Sequence, residues 1–508
     1  MGMKPDYDLC IIGGGINGAG IAREAAGRGL SVLLVEAQDL AQGTSSASTK
    51  LIHGGLRYLE MGEFKLVRES LKEREILLCN APHIIKPMEF VLPHVKGLRP
   101  KWMISMGLFL YDHLAGRRKL SSSSAVSLHD SLLGEPLSYD YRDGFKYSDC
   151  WADDSRLVVL NAMDAKARGV EILTRTACMQ IVRSPDMPHW YVHLKDFKGA
   201  GDEFQISAGM VVNAGGPWVR GVLESSNLTT SDTPKVRLVK GSHLIVPRLY
   251  DGDHAYILQQ PDKRIVFVIP YEGEFSLVGT TDEAFEGDAA KPIISDAEKE
   301  YLCAAVNRFF EKQISPEDAP WTYSGVRALF DDGQGSDQKV TRDYRLDMDT
   351  SHGAPLLSVF GGKLTTYRTL SQHAVDKITG SAKNSGWTKR VPLPGGDIEN
   401  ADFTAFFDRI SKSYPFVPTE VLRRYARQYG TRVHNLLDGI EHIKGLGRDF
   451  GGGLYEAEIF YLIQNEFALS AEDILYRRTK LGLHVEKKTS LALEAALPDY
   501  LKERKIAS

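Results

Sequence analysis

The 508-residue chain is short of several things, and each shortage excludes a class of protein. No stretch reaches the ~18 consecutive apolar residues that a membrane span needs. The five cysteines (Cys10, Cys79, Cys150, Cys178 and Cys303) form no C-x-x-C pair, so no metal site and no disulfide framework are expected. They read as reduced thiols buried like small hydrophobes, which fits a reducing compartment. A net charge of −4 offers no basic surplus for nucleic acid. No secretory signal is read, because the apolar N-terminal strand has neither a basic lead nor a cleavage site. The expectation is a cytoplasmic protein, either soluble or held peripherally on the inner face of the membrane. Hydrophobic and charged shares of 43% and 25% are those of an ordinary globular chain. Its length exceeds a single core, so two or three domains are expected.

The most informative stretch runs from Tyr7 to Glu36, YDLCIIGGGINGAGIAREAAGRGLSVLLVE. Tyr7 to Ile12 has the pattern of a buried parallel strand. Gly13, Gly15 and Gly18 then fit G-x-G-x-x-G at the opening of a helix. Gly13 permits the tight turn, Gly15 lets a pyrophosphate approach the backbone, and Gly18 lets helix and strand pack closely. The helix N-terminus offers N–H groups and a partial positive charge to the phosphates. Ser31 to Val35 is the second strand. It ends at Glu36, 18 residues after Gly18, where a carboxylate binds ribose hydroxyls. That acid argues against a 2′-phosphate and so against NADP. FAD and NAD both remain open at this point.

Residues 38–60 hold a Gly/Ser/Thr-rich loop and then Lys50-Leu51-Ile52-His53-Gly54-Gly55-Leu56-Arg57-Tyr58. Here a titratable ring, a fixed cation and a phenol stand within six residues. The plain alternative is a solvated turn before a surface helix. Residues 63–80 read as an amphipathic helix whose charges form a solvated face. Residues 94–120 are unusual. Lys96, Arg99 and Lys101 precede an apolar run from Trp102 to Tyr111, and Arg117, Arg118 and Lys119 follow it. The run suits a helix lying in a membrane interface, or else a helix buried between domains. Residues 120–145, with Ser121 to Ser124, read as an irregular connection.

Residues 155–180 return to helix and strand, followed by hairpin strands Trp190 to Asp196 and Phe204 to Ile206. A further strand from Gly209 ends at Asn213-Ala214-Gly215-Gly216, which starts a helix. Strands over 242–246, 255–258, 264–270 and 275–278 form a second sheet, mixed or antiparallel, closed by Gly279-Thr280-Thr281-Asp282. A Ser295 cap starts a helix over 293–313. Arg327 lies in a strand-like context. Gly361-Gly362-Lys363 precedes a helix from Thr365 and offers another anion or ring-edge site, without the spacing of a P-loop. Beyond the LPGGD linker near 395 the pattern is all helical, with segments over 403–413, 418–429, 433–437, 455–465 and 471–480, the last from a Ser470 cap.

The motifs GGGINGAGIA (13–22), TSSASTKLIHGGLRYLE (44–60), RPKWMISMGLFLYDHL (99–114), VNAGGPW (212–218), GTTD (279–282), YSGVRAL (323–329) and SVFGGKLTTYR (358–368) together resemble the FAD-dependent glycerol-3-phosphate dehydrogenases along nearly the whole chain. The resemblance implies an α/β, Rossmann-type FAD-binding domain of the glutathione-reductase and amino-acid-oxidase kind, assembled from 1–85, 150–235 and 325–390. A mixed-sheet substrate domain would comprise 86–149 and 236–324, with an all-helical C-terminal domain over 395–508. FAD contacts carried over are Ile12, Gly13, Gly14, Gly15, Ile16, Asn17, Gly18, Glu36, Ala37, Thr44, Ser45, Ser46, Lys50, Leu51, His53, Ala177, Gly215, Gly362, Leu364 and Thr365. Substrate and catalytic residues carried over are His53, Arg57, Tyr58, Arg327 and Lys363.

The resemblance further implies oxidation of sn-glycerol 3-phosphate to dihydroxyacetone phosphate, with hydride passing to FAD N5 and electrons passing onward to a membrane quinone. It also implies a homodimer on an anionic membrane surface. Arg57 and Arg327 suit a phosphate clamp, and Lys363 adds a point charge. His53 is the candidate base, or else a ring that only packs on the flavin. Rival readings are a soluble oxidase that uses O₂, an NAD-linked dehydrogenase, and a dinucleotide sensor without activity. A sensor would have no need of the cationic cluster.

Overall fold

The run Tyr7–Ile12 forms strand β1, with its last four residues buried. In this computed structural model, which describes residues 4–507 apart from 117–118, 130, 200, 332–343, 352 and 384, β1 lies inside a parallel core. Helix α1 (Ile16–Ala26) follows, then strand β2 (Val32–Glu36), which pairs with β1 in parallel. The other neighbour of β1 is Glu203–Asn213, also parallel, and beyond it lies Leu356–Phe360. Among the described residues this sheet has eight strands, contributed by three separated stretches of chain. Helix α1 packs with helices Asp154–Ala167 and Tyr367–Thr379 on one face, while on the other Ile12, Leu33 and Val35 share a core with Ile181, Trp190 and Leu223. Arg23 of α1 is buried in the helical layer, ion-paired with Asp164 and lying over the Trp387 ring.

One expectation changes here. The two strands read over 204–206 and from 209 are a single strand, Glu203–Asn213. Its first half pairs antiparallel with Trp190–Asp196, and its second half pairs parallel with β1. A change of partner at Ala208 therefore looked in the sequence like a break.

The second sheet is mixed. Among the described residues it has ten strands. Its central run is Trp321–Asp331, Lys235–Pro247, Phe275–Gly279, Ile265–Tyr271 and Ala255–Gln259, each antiparallel to the next. Ala255–Gln259 then pairs in parallel with Ile85–Pro93. Trp321–Asp331 lies wholly in this sheet, so the chain returns to the first sheet only with Arg345–Asp349. Residues 124–127, within the stretch read as irregular, form an edge strand on Asp143–Ala152. Helix Asp296–Asn307 packs on the sheet and starts with a full capping box between Ser295 and Glu298.

Helix Phe64–Asn80 corrects the idea of a solvated charged face. Glu73 and Arg74 are buried. Glu73 takes both ends of the Arg368 guanidinium at 2.7 Å, and Arg74 pairs with Asp149 at 2.7 Å. Buried charges persist only when paired in this way.

Helix Lys101–His113 is not sandwiched between domains. Ile104, Leu108 and Tyr111 face inward, while Trp102 is 64% and Phe109 60% exposed beside exposed Met103, Met106 and Leu110. The flanking Arg117 and Arg118 lie outside the described residues. No described helix is long and apolar enough to cross a membrane.

The C-terminal segment is helical, built around a core that includes Tyr425, Tyr429, Leu462 and Ile474. Helices Phe403–Ser413, Thr419–Tyr429 and Glu456–Asn465 follow the sequence reading, and Lys487–Ala507 adds to it. The Ser470 cap forms, accepting from the Asp473 N–H at 3.1 Å, but the turn after it is a π-helix, Asp473–Arg478. The wider turn packs two consecutive arginines, Arg477 and Arg478, onto one buried acid, Asp39. Arg156 paired with Glu466, and Arg175 with Asp473 at 2.6 Å, complete the seam between this segment and the first sheet.

Candidate active site

The carboxyl ends of β1 and β2 open on a cleft of about 630 Å³, where both sheets and the 43–58 stretch meet. Gly13 sits at φ +108°, and a Cβ there would stand 2.6 Å from the Ala214 carbonyl oxygen. A Cβ on Gly18 would fall 1.9 Å from the Gly13 oxygen. Both positions therefore admit only glycine. The Ile16 N–H at the mouth of α1 donates to Ser45 Oγ at 3.0 Å, which ties the 44–46 turn to the helix N-terminus. Glu36 closes the far end. Its carboxylate accepts from the Gly14 N–H at 2.6 Å and the Gln38 N–H at 2.8 Å. Burial raises its pKa, and those two N–H groups oppose the rise.

These features fit a dinucleotide. A glycine cradle faces the pyrophosphate position, a helix N-terminus points at it, and an acid stands at the ribose position. Asn17 Oδ1 is buried without a partner while its amide nitrogen donates to the Gly361 oxygen at 3.1 Å. That leaves an acceptor for a bound group. The cleft continues past Ala37, Ala177 and Gly215 at one end to Leu51, Gly362, Leu364 and Thr365 at the other. FAD, with a ring system beyond the pyrophosphate, would occupy this length.

The structure brings the expected substrate residues to that second end. His53, Arg57, Tyr58, Arg327 and Lys363 all line the cleft. His53 is fixed by its backbone, with Thr365 Oγ1 lying 3.3 Å from its N–H and 3.4 Å from its carbonyl. Lys363 Nζ stands 4.0 Å from the Tyr58 ring centroid, a cation over an aromatic face. Arg327 is held by Asp282 at 2.9 Å and by Thr280 Oγ1 at 3.2 Å. Two cations from distant stretches and a third on the short helix Arg57–Glu60 thus face one region.

Four expected cofactor residues do not line this cleft with their side chains. Gly14 and Gly18 act through backbone packing. Ser46 and Lys50 face a second cavity of about 330 Å³ on the other side of the 43–47 loop. Lys50 is buried, donating to Asp154 Oδ1 at 2.9 Å and to the Ser46 oxygen at 3.1 Å. Burial lowers the pKa of its ammonium, but Asp154 and its neighbours outweigh that and raise it. Lys50 therefore buttresses the loop. Sequence reasoning missed Thr280 and Asp282, which it took as the end of a strand run, and Gln259, which lies one residue past the strand read over 255–258. His243 also lies behind the site, stacked on Tyr323 with ring centroids 4.7 Å apart. Burial, with Arg327 and Lys50 nearby, lowers its pKa and keeps the ring neutral.

Comparisons with known proteins agree with this geometry. Residues 8–368 match the family model described as FAD dependent oxidoreductase, and residues 387–503 match the C-terminal domain of alpha-glycerophosphate oxidase. The chain is 49% identical over 500 residues to the aerobic glycerol-3-phosphate dehydrogenase of Escherichia coli K12, covering 98% of each. It is 50% identical over 480 residues to the D-erythritol 1-phosphate dehydrogenase of Brucella abortus, covering 94% of this chain and 95% of that protein. The glycerol-3-phosphate dehydrogenase of Bacillus halodurans, solved with FAD, superposes with a TM-score of 0.76 at 28% identity, over 99% of this chain and 92% of that one. The chain is a flavoprotein oxidoreductase that uses FAD, and it belongs to the FAD-dependent oxidoreductase family in the branch of the glycerol-3-phosphate dehydrogenases.

Proposed function

We propose that the protein oxidises sn-glycerol 3-phosphate at C2 to dihydroxyacetone phosphate and delivers the electrons to a membrane quinone. One observation carries the substrate reading: Arg57, Arg327 and Lys363 share one end of a dinucleotide cleft with His53. A phosphate monoester is a dianion at neutral pH, and the paired N–H groups of Arg327, pre-aimed by Asp282 and Thr280, suit its oxygens. Lys363 over the Tyr58 ring adds a positive charge at the same end of the cleft. His53, pinned through its backbone to Thr365, is the group to accept the C2 hydroxyl proton. FAD, when bound, supplies the hydride acceptor. The 50% identical Brucella protein acts, by its name, on a four-carbon polyol phosphate, so a longer polyol is the second reading for the same clamp.

The exposed face of helix Lys101–His113 supports the membrane reading. Trp102, Met103, Met106, Phe109 and Leu110 present apolar surface next to Lys101, the pattern of a helix lying in an interface. The test is twofold. Purified protein should turn over glycerol 3-phosphate with a short-chain quinone under nitrogen, and should sediment with anionic vesicles. Turnover only with O₂ would favour the oxidase reading. Failure to bind vesicles at low salt would end the peripheral-membrane reading.

A further inference from the structure

We propose that Gln259 reads the hydroxyl end of the substrate, opposite the phosphate clamp, and so sets the preference among phosphorylated alcohols. The proposal rests on the polyol-phosphate reading above. Gln259 ends strand Ala255–Gln259, is 8% exposed and lines the cleft. Among the described residues no side-chain hydrogen bond engages its amide, and that amide opens to the cleft, unlike the sealed, unpartnered Asn17 Oδ1. A primary amide carries two donors and an acceptor, which matches a hydroxyl that both gives and takes a hydrogen bond. Nearby in the cleft are Ile257, Ile265 and Phe267, which can satisfy no hydroxyl. Arg264 is close, but its Nε donates to Asp262 at 2.7 Å and its guanidinium lies 3.7 Å from the Tyr301 ring centroid.

The strand order sets the span. Arg327 reaches Thr280 and Asp282, which directly follow Phe275–Gly279. That strand pairs with Ile265–Tyr271, which pairs with Ala255–Gln259 and puts Gln259 opposite Ile265. Two inter-strand spacings place the Gln259 backbone about 10 Å across the sheet from the clamp. Side chains on strands stand roughly perpendicular to the sheet, so that separation carries over to the groups they present. A glycerol phosphate spans roughly 6 Å from phosphorus to its terminal oxygen, five bonds away, and a hydrogen bond of about 3 Å at each end lets it bridge the two.

The probe is 1,2-propanediol 1-phosphate, which keeps the secondary alcohol and the phosphate but lacks the terminal hydroxyl. Flavin reduction and steady-state kcat/KM are measured for it and for glycerol 3-phosphate, with the wild-type chain and with Gln259→Met and Gln259→Leu. Wild type should prefer glycerol 3-phosphate by roughly 30- to 100-fold, the size of one lost hydrogen bond to a buried amide. Both variants should retain flavin and its spectrum while that preference falls to within about 3-fold, mostly through loss on glycerol 3-phosphate. A preference in Gln259→Met equal to that of wild type would overturn the assignment. If glycerol 3-phosphate fails to reduce the wild-type flavin at all, the substrate reading falls first and takes this assignment with it. The ratio separates a specificity role from a structural one, because general damage would lower both substrates alike.

Discussion

Asp39 is the point where the C-terminal segment grips the cofactor loop, and replacing it with Asn should loosen both. Its carboxylate is fully buried and accepts from Arg477 Nε at 2.7 Å and from both Arg478 terminal nitrogens at 2.9 and 2.8 Å. It lies three residues after Glu36, so the same short loop carries the ribose acid and this anchor. An amide in its place takes the carboxylate from buried Arg478, while Arg477 keeps Asp473 and Glu472. Breaking a buried pair by removing one partner costs about 3–5 kcal/mol. If the affected part melts as a unit of 150–250 residues, the midpoint should fall by roughly 6–20 °C. Differential scanning calorimetry checks this, with the flavin released on gel filtration measured alongside. Asp39→Leu combined with Arg478→Met should recover much of the loss, since a packed apolar pair replaces a charged one. A midpoint within a degree of wild type for Asp39→Asn would refute the claim that this seam matters to stability.

Gly18→Val should yield protein without flavin or no soluble protein, because the Cβ would overlap the Gly13 carbonyl; absorbance in the visible flavin band reads it out. Arg327→Met should lower kcat/KM for glycerol 3-phosphate by roughly 10- to 150-fold, the range for hydrogen bonds to a charged group, while steady-state assays show flavin content unchanged. Asp473 gives a pH prediction. Burial alone would raise its pKa, but Arg175, Arg478 and Arg477 outweigh burial and hold it at about 2. A depressed carboxyl stabilises the fold above the ordinary 3.8 and loses that contribution as pH falls through about 2. The contribution is about 2 kcal/mol, so the midpoint gap between wild type and Asp473→Asn should be full at pH 6, begin to shrink below the ordinary 3.8 and close only near pH 2. His53→Ala should cut kcat at saturating substrate by about 10²-fold or more if the ring takes the hydroxyl proton; an unchanged kcat would leave it a packing role.

The sequence made the dinucleotide half of the site readable because its signals are local. Strand, glycine turn, helix and terminal acid follow one another between Tyr7 and Glu36, and each needs only its neighbours. The helix boundaries Phe403–Ser413 and Thr419–Tyr429 were legible for the same reason. The parts that were not legible depend on partners far along the chain. Glu73 looked solvated because its partner Arg368 is 295 residues away. The Asp39–Arg478 pair spans 439 residues, and the π-turn that aligns Arg477 with Arg478 has no periodicity distinct from an ordinary helix. Lys50 sits in a loop rich in ligand-type residues, yet Asp154 draws it to the opposite side. Asp282 closed a strand in the sequence, and only the sheet shows it aiming Arg327.

The most direct test is anaerobic addition of glycerol 3-phosphate to the purified yellow protein while the flavin spectrum is followed. The account predicts rapid bleaching of the visible flavin band with one equivalent of dihydroxyacetone phosphate formed. A flavin that stays oxidised in excess glycerol 3-phosphate, while another class of reductant bleaches it, would contradict the proposed substrate and the role given to Arg57, Arg327 and Lys363.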